Sequence, residues 1–293
     1  MVSDATALVG PARRSILGRL LPRPFVRSPL ALASLAAVAL WILVAVFAPA
    51  IAPYNPLAQD IVGRLAPPSP AHWLGTDPLG RDILSRILYG ARLSIPVGIT
   101  AVALAVVSGT LIGSVAGAAG GAVDEVIMRT TDLMLAFPTV ILAMIISAAL
   151  GAGIRNSVIA IMVAWWPSYA RFARALVLSA REREYVEAAR AVGASAIRVY
   201  LRHIMVNILS PIVILGTLDV GHAILTFASL SFLGLGPPPQ IPEWGSMIAT
   251  GRDYLDQWWI GTFPGAAILS LVLALNMVGD SLRDALDPRL RKG

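Results

Sequence analysis

The chain has 293 residues, 57% of them hydrophobic and only 14% charged, with a mean hydropathy of +0.74. A soluble domain carries about a quarter charged residues, so too few polar side chains remain to coat a water-exposed surface, and the composition points to an integral membrane protein. The net charge of +6 is placed to suit membrane topology rather than nucleic acid, and the absence of cysteine excludes disulfides and thiolate metal sites.

Residues 1–29, rich in Arg, Pro and small side chains, read as a loose arm. Beyond them lie uncharged runs long enough to cross a bilayer, which takes about 20 helical residues. The runs predict six spans, over about 30–52, 93–120, 133–153, 156–177, 205–232 and 260–281. Ala50-Ile51-Ala52 resembles a signal-peptide cleavage site. The run before it is about twice a normal h-region of about 7–15 residues, so it is expected to remain as a span.

In the segment 53–92, Asp77 and Pro78 suit the cap and first position of a helix. Ile83, Leu84, Ile87 and Leu88 would form its apolar face, and the helix is expected to lie flat at the outer interface. The fourth run, between Arg155 and Arg171, is short and extends if Arg171 and Arg174 snorkel. After the fifth span, Gly234, Gly236 and prolines 237–239 end the helix and stiffen a loop over 233–259. Trp244, Trp258 and Trp259 in that loop suit the outer interface.

The six spans divide the remaining chain between two sides. Seventeen of the 23 Lys and Arg residues fall on the side holding both termini and the 178–204 loop, and six fall on the other. The positive-inside bias puts both termini and that loop in the cytoplasm.

Catalytic motifs are missing. Lys292 is the only lysine and is followed by glycine, so no GxxxxGK[ST] phosphate loop exists. There is no HExxH, and His72, His203 and His222 lie on different segments. Enzymatic activity is not expected of this chain.

The basic loop carries the strongest local pattern. Within 182–192, Tyr185, Ala189 and Val192 recur at helical spacing, flanked by Val186. Gly193 ends that helix and Ser195 is placed to cap a second, over Ala196 to His203. Two short helices joined at a glycine make a compact knob. Its partner is either anionic lipid, facing the arginines, or a protein received on the small Ala188 and Ala189 with Glu187 at the tip.

Asp219 and His222 lie one turn apart in the fifth span. Charge in hydrocarbon is costly, so these groups should face a cavity, a pore or each other. They are read as lining a translocation path, as a structural pair, or as a proton relay.

The order Glu187-Ala188-Ala189, three residues, Gly193, then Ile204 resembles the EAA loop of ABC importer permeases. From about residue 30 to the end the chain is similar to the C-type permease subunit of the dipeptide, oligopeptide and nickel importers. HWLGTDPLGRDILSRILYGARLS (72–94), VDEVIMRTTDLMLAFP (123–138), LSFLGLGPPPQIPEWGSM (230–247) and GDSLRDALDPRLRKG (279–293) match that subfamily in order. The chain departs from the pattern after Ile204, where Met205-Val206 replaces the usual Leu-Pro ahead of Asn207, and the bend at the start of the fifth span is placed in doubt. An acid expected at position 227 is Phe227 here, and the pore polarity is expected at Asp219 instead.

The resemblance implies an all-α integral membrane fold, a type I ABC importer transmembrane domain (MetI-like) over 30–293 with six transmembrane helices and both termini cytoplasmic. It implies half of a translocation pore for di- or oligopeptides in a bacterial inner membrane. Tyr185, Glu187, Ala188, Ala189, Arg190 and Gly193 would couple to an ATPase, with Asp219 and His222 on the translocation path. The implied partners are a homologous second permease subunit, two ABC ATPase subunits, an external substrate-binding protein and membrane lipid, with no nucleic acid. No cofactor is expected on this chain, ATP and magnesium belonging to the ATPases. The alternative from another class is an ion-gradient-driven transporter or channel using Asp219 and His222.

Overall fold

Ser28 caps the first helix of the computed structural model, which describes residues 28–286; its hydroxyl accepts from the Ala31 N–H at 3.3 Å. Helix α1 (Pro29–Ile51) starts on a proline and stops just before Pro53, where a further turn would lose its backbone donor. It is apolar all round, and Leu40, Leu43, Val46 and Phe47 are each more than half exposed, as suits a helix in lipid. Residues 52–82 follow without helix. Helix α2 (Ile83–Ala119) is then unbroken for 37 residues, about 55 Å at 1.5 Å per residue.

The flat interfacial helix is therefore corrected. The Asp82 carboxylate, not that of Asp77, accepts from the Ser85 N–H (2.7 Å) and starts a helix that runs straight into the bundle. Asp77 instead closes a tight turn by accepting from the N–H groups of Leu79 (2.9 Å) and Arg81 (3.0 Å). Two acids precede the helix, and only the second accepts from an N–H of the helix itself.

Helix α3 (Gly121–Leu135) turns 92° at Pro138 into α4 (Thr139–Leu150). Helix α5 (Ile154–Arg181) leads into the short α6 (Glu184–Ala191). Helix α7 (Ala196–Val199) passes through a π-helical turn (Tyr200–Met205) into α8 (Val206–Phe232). Helix α9 (Trp244–Arg252) and α10 (Trp259–Leu286) complete the described residues. The fold is all-helical. Among the described residues four helices are long and apolar enough to cross a membrane, namely α1, α2, the rod Ala196–Phe232 and α10; the bent pair α3–α4 makes a fifth if it counts as one crossing. Helix α5 is not among them, its 28 residues being punctuated by Arg155, Arg171, Arg174 and Arg181.

Helices α2 and α5 run side by side in the same direction and in close contact. Gly109, Gly113 and Gly117 form a stripe on α2 against α5; a Cβ on Gly113 would sit 2.0 Å from the Ala170 carbonyl oxygen. Small residues at this spacing let two backbones touch, which gives helix association in lipid its dispersion energy. Helix α8 packs antiparallel to α2, and α10 packs against α8, α1 and α9.

Two apolar clusters sit at opposite ends of the bundle. The far one gathers Ile83, Ile87, Ile260 and Leu271 around Trp244. Trp244 is fully buried, its indole N–H donating to the Ile87 carbonyl (3.0 Å), and Trp259 is 8% exposed and donates to Thr76 (3.3 Å). Neither is the interfacial anchor expected from sequence; Trp258 alone of the three is exposed, at 55%. Each indole finds a backbone acceptor inside, so burial leaves no unpaired donor.

Candidate functional site

The second cluster holds the knob. After α5 ends, the Arg183 carbonyl accepts from Val186 (2.9 Å) and Glu187 (3.2 Å), starting α6. Glu184 and Glu187 in its first turn and Arg190 in its last suit the helix dipole. The end is a Schellman turn: Gly193 N–H donates to Arg190 (2.9 Å) and Ala194 N–H to Ala189 (3.1 Å). Gly193 has φ +81° and nothing within 4 Å of where a Cβ would lie, so glycine serves backbone conformation here, not space.

The inward face of α6 differs from the one periodicity suggested. Val186 and Ala189 are buried, packing with Ala173 and Val177 of α5 and with Ile204, Ile208 and Ile212 leading into and along α8. Tyr185 is 41% and Val192 84% exposed, and Glu187, Ala188, Arg190 and Gly193 also face outward. Ala189 therefore faces its own chain, and of the six loop residues singled out from sequence the other five share the free surface. The sequence offers Tyr185, Val186, Ala189 and Val192 as apolar positions on this helix; the apolar end of α5 decides which of them turn in.

Ser195 occupies the cap position of α7, but its hydroxyl caps nothing; its carbonyl accepts from Val199 (3.0 Å). The second short helix is also not separate. It continues through the π-helical turn into α8 without a break, so no proline is needed where Val206 stands. The Asn207 side-chain amide bonds back to the His203 carbonyl (2.5 Å) along this stretch. Arg181 completes the joint by donating to the Gly117 carbonyl (2.8 Å) at the end of α2. Beside it, Arg174 grips Asp124 of α3 through two bonds of 2.5 Å, and Arg171 bonds Asp132.

Halfway along the bundle lies a cavity of about 430 Å³ between α4, α5 and α8. Asp219 and His222 are both in its wall, with Trp165, Ser168, Tyr169 and Thr226. Asp219 is the fourteenth of the 27 residues of α8, about 20 Å from either end. The Tyr169 hydroxyl donates to Asp219 Oδ2 at 2.5 Å, while His222 Nδ1 stands 3.9 Å from Oδ1. Phe227 is fully buried against Val97, Ile161 and Leu230, so position 227 does not face this cavity.

Sequence reasoning missed Tyr169, Trp165 and a charged latch at the far end. There Asp77 accepts from Arg81 Nε at 2.6 Å with Arg86 Nε at 3.7 Å, all three buried. Both arginines also donate to the Pro239 carbonyl (3.3 and 3.2 Å), tying the 52–82 segment to the proline loop. Glu243 was missed as well. It is fully buried and caps α9 by accepting from Gly245 and Ser246 N–H, both at 2.8 Å. Burial pushes its carboxyl above the usual range, and these two backbone bonds pull it partly back. The i,i+4 pairing of Asp77 with Arg81 was the one available signal; Tyr169 and Glu243 had none.

Comparison with known proteins gives two family matches. Residues 109–292 match the family described as binding-protein-dependent transport system inner membrane component, and residues 17–68 match the N-terminal transmembrane domain of oligopeptide transport permease C. The probable D,D-dipeptide transport system permease protein DdpC of Escherichia coli is 43% identical over 291 residues, 99% of this chain and 98% of that protein. The di/tripeptide transport system permease protein DppC of Pseudomonas aeruginosa is 44% identical, covering 89% of this chain and 88% of its own. The nickel transport system permease protein NikC of Escherichia coli is 44% identical, covering 81% and 86%.

Proposed function

The chain belongs to the family of binding-protein-dependent transport system inner membrane components, and from that premise we propose that it forms half of the translocation pore of an ATP-driven importer of short peptides. It is a transport subunit and not an enzyme. The ion-gradient alternative loses its footing with the family, since such subunits take their cargo from a binding protein and their energy from an ATPase.

The observation that carries the reading is the seating of the knob. Its buried residues rest on α5 and α8, the same two helices whose Tyr169 and Asp219 meet in the cavity wall. From Val177 to Tyr169 is about 12 Å along α5, and from Ile212 to Asp219 about 10 Å along α8. The outward face of Tyr185, Glu187, Ala188, Arg190 and Gly193 receives an ATPase subunit on the cytoplasmic side. Closure of two ATPases on ATP and magnesium draws this knob toward the knob of a homologous second permease. A push on α6 is then transmitted by close packing to the helices lining the path, because packed interiors move as units and do not absorb strain. The path widens outward, takes cargo from the external binding protein, and returns after hydrolysis. In this reading α5 is a sixth crossing, its arginines at the cytoplasmic end held by Asp124, Asp132 and the end of α2, and both termini lie inside. The names of the relatives support a dipeptide or oligopeptide cargo.

The test reconstitutes the whole importer in liposomes. Glu187→Arg and Gly193→Pro should leave membrane insertion intact yet lose stimulation of ATP hydrolysis by loaded binding protein. Unaltered stimulation in Gly193→Pro would remove the coupling role from the knob.

A further inference from the structure

The wall of the cavity on α5 and α8 has a polarity that lining a path does not require. Asp219 enters it with one oxygen committed to the Tyr169 hydroxyl at 2.5 Å and the other out of hydrogen-bonding reach of His222, at 3.9 Å. The Thr226 and Ser229 hydroxyls are already spent, donating to the carbonyls of His222 and Leu225, both at 2.8 Å. Trp165 lies four residues from Tyr169, on the same face of α5 and one turn toward the far end. Its indole N–H is buried and has no acceptor in the protein.

Buried in this way, that N–H is closed to a ligand, and what the wall offers is the acceptor charge of Asp219 with one oxygen free. This matches a molecule with a cationic head whose N–H groups the free oxygen can accept. A metal ion fits poorly: it asks for several oxygen or nitrogen ligands, and among the described residues no group of three His, Asp or Glu side chains is placed to hold one. The cavity, about 430 Å³, is of the size that takes small molecules, about 300–1,000 Å³. Leaving Asp219 half-paired in an apolar setting is costly, and a passing ammonium removes that cost.

Resting on the reading of this cavity as part of the path, we infer that Asp219 recognises the free α-ammonium group of a short peptide, with Tyr169 as its positioning residue. The permease then screens cargo a second time, independently of the binding protein.

The test uses the complete reconstituted importer and two probes, alanylalanine and N-acetylalanylalanine. The binding protein is the same throughout, so a change in the uptake ratio between variants belongs to the permease. Asp219→Asn should lower the ratio of free to acetylated uptake about tenfold or more, the size of a lost bond to a charged group, and Asp219→Glu should keep most of it. Tyr169→Phe should lower the ratio several-fold through the maximal uptake rate, leaving the half-saturating binding-protein concentration unchanged. Equal loss for both probes in Asp219→Asn would overturn this inference while leaving the path-lining reading in place. No effect on either probe would sink both, and an absence of wild-type uptake of both probes would remove the peptide reading and this inference with it. Should Asp219→Asn fail to assemble, Tyr169→Phe decides, and an unchanged ratio there refutes the proposal.

Discussion

Val186→Ala isolates the knob's seating from its outward contacts. Val186 is fully buried in the cluster formed with Val177, Ile204, Ile208 and Ile212. The substitution removes two methyl-sized groups, about 1.6 kcal/mol at about 0.8 kcal/mol each. The cavity left between two long helices cannot collapse fully, which raises the cost to about 2 kcal/mol. At about 1.4 kcal/mol per tenfold, the knob should open locally about 30 times more often. Hydrogen exchange over residues 184–199 should lose protection by that factor, with the rest of the bundle unchanged. In the reconstituted importer, ATP hydrolysed per molecule of cargo should rise while the ATPases remain bound. Val192→Ala is the matched control: it deletes the same two groups from a side chain that is 84% exposed. Local exchange should stay as in wild type, and any effect should appear as weaker association with the ATPase. The same exchange profile for both variants would refute the assignment of inward and outward faces.

Asp77→Asn keeps shape but leaves Arg81 and Arg86 buried beside each other without a counter-charge. Removing one member of a buried pair costs about 3–5 kcal/mol, so the 52–82 segment should become protease-sensitive and the thermal midpoint should fall sharply. Gly113→Val should prevent α2 and α5 from closing, because the added carbon meets the Ala170 backbone at 2.0 Å with nothing flexible to yield; Gly261→Ala, whose nearest contact is 3.7 Å, should be tolerated in the same thermal assay. Glu243 carries a raised carboxyl pKa, from burial. Its stabilising contribution is full below the ordinary carboxyl range and is lost as pH rises through the folded-state value. Wild-type thermal stability should therefore decline more than that of Glu243→Gln as pH rises above the ordinary carboxyl range, and parallel profiles would remove Glu243 as the cause.

What could be read from the sequence was local in origin. Long apolar runs declare membrane helices because transfer into lipid depends on each segment's own composition, and α1, α2, the rod through α8 and α10 are such runs. The spacing from Glu187 to Gly193 declared a helix and its end, because a turn is built from neighbours. Asp219 announced itself as an acid where acids are expensive. The tertiary structure decided what depends on distant segments meeting. Tyr169 lies 50 residues from Asp219, and no pattern in either stretch predicts their bond. The choice of Asp82 over Asp77 as a cap was made by Arg81 and Arg86, and the burial of Trp244 by Gly90 and Ile87. The inward face of α6 was chosen by the ends of α5 and α8, since which of its apolar positions turns inward depends on what the helix is packed against.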